Sequence, residues 1–441
     1  MVDLSAALFT KLLNLGSDWE VYETSYSSEK NVILLRIRET AELLAHARCP
    51  KDKRFKVKLY DHVEPRFWRH LNVFNCECLI ECSLPRFQCT HCDKVWRVKA
   101  PWEGKCKGLS EEFEAFALTL MKEMPVKSAG RILNENDKRL WRVLNAYVEE
   151  AHQSVDLSDL TQVGSDELSY RKRHKYVTVF ADMEQKRVVY AVKGKDKSTW
   201  ERFCEDLQRR NDHPHAITYA AIDMGLAYQS GVRENCRDAE IVFDKFHVMK
   251  LIGERVDDVR KAESAHGKTE AKKQLKKTLW LWRKNPENLS ESEQARFDRI
   301  DHDYLWTAKA YQMRLALQKI YNTIPYQSWA ERRLQSWCNW VNRVCDKAPY
   351  WIMKPMRKAA EMIQKHIDGI LAYWGSGKLT TAYLEGLNSV FSAVKRKARG
   401  FRNTDNMINM IYFVAGKLPI SERQLPTENV EEPLCIRNEA E

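Results

Sequence analysis

Gln162-Val-Gly-Ser-Asp166-Glu167, His174-Lys-Tyr-Val-Thr-Val-Phe-Ala-Asp182 and Arg187-Val-Val-Tyr-Ala-Val192 follow one another closely in the middle of the chain. The second and third runs are rich in β-branched and aromatic residues, and Glu184-Gln185-Lys186 between them reads as a turn, so consecutive antiparallel strands are predicted. Asp196 to Arg210 then sets Trp200, Phe203 and Leu207 at helical spacing. Ile217-Thr-Tyr-Ala-Ala-Ile222 is a buried-type strand ending at Asp223. Ala239-Glu-Ile-Val-Phe243-Asp244 is another, leading into Lys245-Phe-His247. The order β-β-β-α-β-α-β predicts an α/β domain whose hairpins are continued by parallel crossovers.

Beyond this block, Val248 to Trp374 reads as helix throughout and holds eight of the fourteen tryptophans. They are expected to form the aromatic core of a helical insertion. A returning helix from Thr380 to Arg399 carries Glu385, Gly400-Phe-Arg-Asn403 ends it, and one more helix spans Asp405 to Phe413. Before the block, Ala6 to Leu15 reads as a helix, with strands around Trp19–Ser25 and Val32–Arg38. Leu109 to Val148 turns helical: Ser110-Glu-Glu-Phe113 is an N-cap pattern, Val126 to Leu133 is a short helix, and Asn134-Glu135-Asn136 leads into Asp137-Lys-Arg-Leu-Trp-Arg-Val-Leu144. Asn-rich punctuation between short amphipathic helices, the second bearing Lys138, Arg139 and Arg142, suits a helix-turn-helix.

Composition bounds the partners. The 441 residues carry a formal net charge of +11, with 44% hydrophobic and 30% charged residues, which excludes a wholly disordered chain. No stretch approaches the roughly 20 apolar residues of a membrane helix. Met1-Val2-Asp3-Leu4-Ser5 lacks the start of a signal peptide, and the twelve cysteines form no dense framework, so reduced thiols are expected. From Ser376 to Lys417 seven basic residues face two acidic ones, whereas the tail after Lys417 holds six acidic and two basic residues. A basic body of this kind favours polyanions.

Cys89-Thr-His-Cys92 is a knuckle that can present two thiolates to a tetrahedral zinc, and Cys49 lies forty residues earlier. A ribbon would have cysteine where Asp52 stands; Asp52, His46, His91, Cys76, Cys78 and Cys82 are the other candidate fourth ligands. Three acids carry the expected chemistry. Asp166 is read as ending the first strand of the sheet and Asp223 the fourth, and Glu385 lies early in the helix that returns after the insertion. Side chains at strand carboxyl ends gather around one crevice. Three carboxylates there need hard cations, Mg²⁺ or Mn²⁺, and two such ions can drive phosphodiester displacement. Asp182, at the end of the antiparallel second strand, is ranked below them, and Glu167 points to the opposite face. The layout is that of an RNase H-like domain.

Ser165-Asp-Glu-Leu168, Ala221-Ile-Asp-Met-Gly-Leu-Ala-Tyr228, Val242-Phe-Asp-Lys-Phe-His-Val-Met249, Leu384-Glu-Gly-Leu-Asn-Ser389 and Lys395-Arg-Lys-Ala-Arg-Gly-Phe-Arg-Asn403 resemble bacterial insertion-sequence transposases of the DDE class. The resemblance is to the subgroup with an N-terminal zinc ribbon, a helix-turn-helix and a helical insertion before the catalytic glutamate, and it runs from about Cys49 to Phe413. It implies a zinc-ribbon-like region over 1–106 with Cys49, Cys89 and Cys92 as zinc ligands, and a helix-turn-helix over 107–155. An RNase H-like α/β domain over 156–255 and 375–417 would be interrupted by the all-α insertion 256–374, with an acidic tail over 418–441. Asp166, Asp223 and Glu385 would bind Mg²⁺ or Mn²⁺ and catalyse strand cleavage and transfer, with Asp244 and His247 lining the site. Lys138, Arg139, Arg142, Lys395, Arg396, Lys397, Arg399 and Arg402 would contact double-stranded DNA, both element ends and target. The implied protein is a homodimer on DNA, cytoplasmic and nucleoid-associated, with no membrane partner; the alternative is a catalytically silent, transposase-derived DNA-binding regulator.

Overall fold

The computed structural model describes residues 4–171, 175–210, 213–398, 400–401 and 403–420. After a helix, Leu4–Leu12, come seven strands: β1 (Trp19–Ser27), β2 (Val32–Glu39), β3 (Val57–His62), β4 (Arg66–Val73), β5 (Cys76–Cys82), β6 (Pro85–Cys89) and β7 (Val95–Arg97). They form two sheets, ordered β1-β2-β5-β4 and β3-β6-β7. Trp102 meets Trp19 and Trp68 edge to face, with ring centroids 5.3 and 5.8 Å apart, over buried Leu35, Ile37 and Ile80. Cys78 and Cys82 belong to this core, and burial pushes both thiols up to about 12. The alternating pattern of β5 turns them inward, outside the sulfur cluster of Cys49, Cys89 and Cys92.

Three helices follow, Glu111–Glu123, Val126–Leu133 and Asp137–Ser154. Ser110 caps the first by accepting the Phe113 amide, and Asn136 caps the third by accepting that of Lys138. Asn134 ends the second at φ 50°, a left-handed conformation that asparagine tolerates better than most residues. The fully buried Glu114 accepts the Lys105 and Cys106 amides at 2.8 and 2.7 Å and the Tyr147 hydroxyl at 2.9 Å. One carboxylate therefore ties the incoming loop, the first helix and the third helix together.

The central sheet comprises β8 (Gln162–Arg171), β9 (Lys175–Asp182), β10 (Arg187–Lys193), β11 (Tyr219–Ile222) and β12 (Glu240–Phe243), in the order β10-β9-β8-β11-β12. β8, β9 and β10 form an antiparallel meander, and β11 runs parallel to both β8 and β12. The helix Ser198–Arg209 covers one face, stacking Phe203 on Phe180 with centroids 4.4 Å apart. Asp166 does not end its strand. Pairing with β9 carries β8 on to Arg171, opposite Lys175, so Asp166 lies in mid-strand where its parallel neighbour stops. Asp182 accepts the Glu184 and Gln185 amides and pairs with Arg187 at 3.4 Å, anchoring the hairpin turn.

From Lys245 to Gly375 the described elements are all helical. Trp282, Trp337 and Trp374 are buried, Trp306 and Trp340 are partly so, and Trp280, Trp329 and Trp351 are exposed. The buried indoles of Trp337 and Trp374 donate to the Met313 and Ile324 carbonyls at 2.8 and 2.9 Å. Glu263 accepts the Trp306 and Thr307 amides at 2.9 and 2.8 Å and caps their helix from outside. Among the described residues no helix is long and apolar enough to cross a membrane.

Replacing Glu114 by alanine leaves two loop amides and a buried hydroxyl without their acceptor. The substitution is expected to lower the unfolding free energy by about 2–4 kcal/mol, measured as a fall in urea midpoint at unchanged slope.

Candidate active site

Parallel register sets the site. Ala221 pairs with Gly164, so two residues further along both strands Asp223 comes level with Asp166. Ile222 pairs with Phe243, so one residue further Asp223 comes level with Asp244. Three acids thus stand side by side at the carboxyl ends of β11 and β12 and beside the middle of β8.

Glu385 arrives on the first turn of the helix Ala382–Lys397, which lies along β8. Leu384 packs over Gly164, where an added Cβ would stand 3.1 Å from Leu384 Cδ1 and 2.5 Å from Met183 Sδ. Asn388 Nδ2 donates to Asp166 Oδ2 at 2.6 Å, and Lys395 Nζ donates to the Ser169 carbonyl at 2.8 Å. The start of this helix is fixed by Asp244, whose Oδ1 accepts the Thr381 amide at 3.1 Å. Asp244 Oδ2 accepts both the backbone amide and Nδ1 of His247, at 3.3 and 3.1 Å.

Electrostatics follows from this crowding. Burial, with the charge of Asp223 adding to it, raises the Asp166 carboxyl above its usual range, against hydrogen bonds from the Glu167 amide and Asn388. Burial and the charges of Asp244 and Asp166 raise Glu385, opposed by His247 and Lys250. Asp244 behaves oppositely: burial would raise it, but the bonds from His247 and Thr381 outweigh burial and hold it low. His247 is raised by its bond to Asp244 and by the charges of Asp223 and Asp166, against burial. Glu385 Oε1 is buried without a hydrogen-bond partner.

The carboxylate oxygens of Asp166, Asp223 and Glu385 do not all lie within 4.8 Å of one another. Their chemistry nonetheless fits a divalent cation: the donors are hard oxygens, two of the three acids are raised in part by neighbouring negative charge, and one buried oxygen lacks a partner.

A second cluster lies in the N-terminal sheets. The sulfurs of Cys49, Cys89 and Cys92 all lie within 4.8 Å of one another, the first and last 3.8 Å apart. The amides of Cys92 and His91 both donate to Cys89 Sγ at 3.4 Å and hold that thiol below its usual value against burial. Asp52 is engaged elsewhere, with its carboxylate 2.7 Å from Arg54. His91 stacks on Phe55 with centroids 3.9 Å apart, and His46 lies 4.0 Å from Asp18.

Among the described residues the basic side chains divide into exposed and engaged. Lys138, Arg142 and Arg396 are exposed. Arg139 is held by Glu135 at 2.8 Å and by the Lys107 and Gly108 carbonyls at 3.1 and 2.8 Å. The side chain of Lys397, together with Arg399 and Arg402, lies outside the described residues. Sequence reasoning missed Asn388 and the bond from Thr381 to Asp244. The signal for Asn388 was its position three residues after Glu385, on the same helix face.

A family model described as transposase matches residues 163–411, which take in all of these acids. The chain belongs to the ISL3 transposase family. The model of the helix-turn-helix domain of that family matches residues 98–148. Among curated relatives, the transposase for insertion sequence element IS1557 of Mycobacterium tuberculosis is 26% identical over 418 residues, covering 88% of this chain and 89% of that protein. The transposase for insertion sequence element IS1001 of Bordetella parapertussis is 24% identical over 342 residues, covering 76% of this chain and 81% of that protein. The similarity to insertion-sequence transposases thus extends along most of the chain.

In metal-free protein, the His247 imidazole is expected to titrate above the ordinary 6.5, followed by its proton–nitrogen NMR correlations. Its stabilising contribution is fully present below the unfolded value and is lost as pH rises through the raised folded value. Asp244→Asn is expected to move the titration back towards 6.5.

Proposed function

We propose that the chain is the active transposase of an insertion sequence. In this reading it binds the element's terminal inverted repeats, cuts at their ends and joins the freed 3′ ends to target DNA, with Asp166, Asp223 and Glu385 as the catalytic acids. The observation that carries the reading is the juxtaposition of Asp166 and Asp223 on adjacent parallel strands, with Glu385 docked over the same strand. An RNase H-like assignment of the domain draws support from the strand order β10-β9-β8-β11-β12 and its antiparallel-then-parallel pairing.

The three acids would hold Mg²⁺ or Mn²⁺, which when bound supplies activation of an attacking oxygen and stabilisation of a leaving one. The protein's own groups do the rest. Asp166 and Asp223 face the reacting phosphate from the sheet, and Glu385 faces it from the helix. Asp244 holds that helix by the Thr381 amide and orients His247 by accepting its backbone amide and Nδ1. In cleavage a water oxygen bonds to phosphorus, the 3′ oxygen leaves, and the water's proton passes to it through solvent. In transfer that 3′ hydroxyl attacks a target phosphodiester, so one ester bond forms as another breaks. Exposed Lys138, Arg142 and Arg396 would meet phosphates, with Lys397, Arg399 and Arg402 as further proposed contacts; Arg139 would act on the helix-turn-helix itself.

Cys49, Cys89 and Cys92 would hold Zn²⁺ in a zinc-ribbon-like module within residues 1–106, beside the helix-turn-helix over 107–155. The catalytic parts would be 156–255 and 375–417, separated by the insertion 256–374 and followed by the tail 418–441. Two ends are paired in transposition, so a homodimer on DNA is proposed, working in the cytoplasm on the nucleoid.

Asp166→Asn or Asp223→Asn is expected to abolish Mg²⁺-dependent nicking of an end-containing duplex while leaving gel-shift binding within about twofold; normal nicking by either variant sinks the assignment. Wild-type protein that binds ends but never nicks them would instead be the DNA-binding regulator. As a separate check, purified protein should carry one zinc per chain by elemental analysis, and Cys89→Ser should lose it.

A further inference from the structure

Asn388 lies in neither proposed set of functional residues, yet it makes the bond between the two halves of the site. Its Nδ2 donates to Asp166 Oδ2 across 222 residues of sequence, at 2.6 Å. Asp166 Oδ1 accepts the Glu167 amide at 2.7 Å. Both carboxylate oxygens are therefore held and the plane of the group is fixed. Each oxygen keeps a further lone pair for a cation.

The same bond sets the register of the helix on the strand. Leu384 lies over Gly164, Asn388 over Asp166 and Lys395 over Ser169. Asn388 and Lys395 are seven residues apart, about 10.5 Å along a helix. Asp166 and Ser169 are three apart, about 10 Å along a strand. The two ladders therefore match without bending either element. A shift of one helical residue would break both polar contacts and carry Glu385 about 1.5 Å along and 100° around the axis.

We propose that Asn388 is a positioning residue: it orients the Asp166 carboxylate and fixes where Glu385 stands relative to it, so that the two acids share one divalent cation. The inference rests on the proposed catalytic reading of these acids and adds to it a residue that touches neither DNA nor metal. A half-buried carboxylate next to Asp223 also needs a neutral donor here. A lysine would neutralise the charge that attracts the cation, and an aspartate would repel Asp166.

The test uses full-length protein with Asn388→Ala and Asn388→Asp, read in three ways: melting temperature, Mn²⁺ binding counted from the free-ion electron paramagnetic resonance signal, and Mg²⁺ dependence of nicking on an end-containing duplex. Outer partners of metal ligands change affinity or activity by about 10–100-fold. Asn388→Ala is expected to weaken Mn²⁺ binding and to raise the Mg²⁺ needed for half-maximal nicking by about tenfold, with end binding unchanged. Asn388→Asp, which keeps the side-chain shape but loses the donor, is expected to nick no better than the alanine variant, so a fold defect in one variant leaves the other informative. Wild-type Mn²⁺ affinity and Mg²⁺ dependence in either folded variant overturns the positioning role. Asp166→Asn run alongside separates the failures: if it nicks normally, the catalytic reading itself has failed, whatever Asn388 does.

Discussion

Like charge has to be gathered from distant parts of the chain, and the architecture answers to that requirement. Asp166 and Asp223 are brought level by parallel pairing of short strands, which costs no specific side-chain contact because backbone hydrogen bonds fix the register. Glu385 cannot come that way, since it lies on a helix that returns after a long helical excursion. Its place depends on the lie of that helix along β8, held by Leu384 over Gly164, Asn388 on Asp166 and Lys395 on Ser169. Gly164 is where the requirement shows most plainly: any side chain there would push into Leu384 and Met183 and lift the helix off the strand.

The electrostatic pattern is the other side of the same arrangement. Asp166 and Glu385, each with like charge nearby, are raised even though Asp166 accepts two hydrogen bonds, whereas Asp244, bonded to His247 and the Thr381 amide, is held low. Burial acts on all three, so the difference lies in the donors each one meets. Asp244 is spent on structure, and the neighbours remain available for a cation. The N-terminal cysteines divide in a similar way. Cys78 and Cys82 of β5 face an apolar core, and burial raises their thiols, while Cys89 sits in a turn whose amides favour its thiolate.

Much of this was legible in local pattern. Alternation and β-branching gave the strands from Lys175 to Lys193, helical spacing gave Trp200, Phe203 and Leu207, and the Ser110 cap was readable from residue type and position. Less legible was anything decided by a distant partner. β8 continues past Asp166 because β9 supplies its hydrogen bonds, a fact absent from the residues of β8 themselves. Arg139 reads as a free cation on a recognition helix, but Glu135 and two carbonyls of the preceding loop engage it. Cys78 and Cys82 have the composition of ligands and the burial of core residues. Asn388 was in plain view beside Glu385, yet its acceptor lies 222 residues away.

Asp244 closes the neck of the helical excursion. Its carboxylate accepts the His247 amide, where the chain leaves the sheet, and the Thr381 amide, where it comes back. Whatever lies between is a loop of helices whose ends are already joined. The entropy of closing a loop grows only logarithmically with its length, about 0.6 kcal/mol for each doubling. The excursion can therefore lengthen, shorten or be rebuilt over generations at little cost to the acids behind the neck. A single buried aspartate thus uncouples the length and content of the helical region from the placing of the acids behind it.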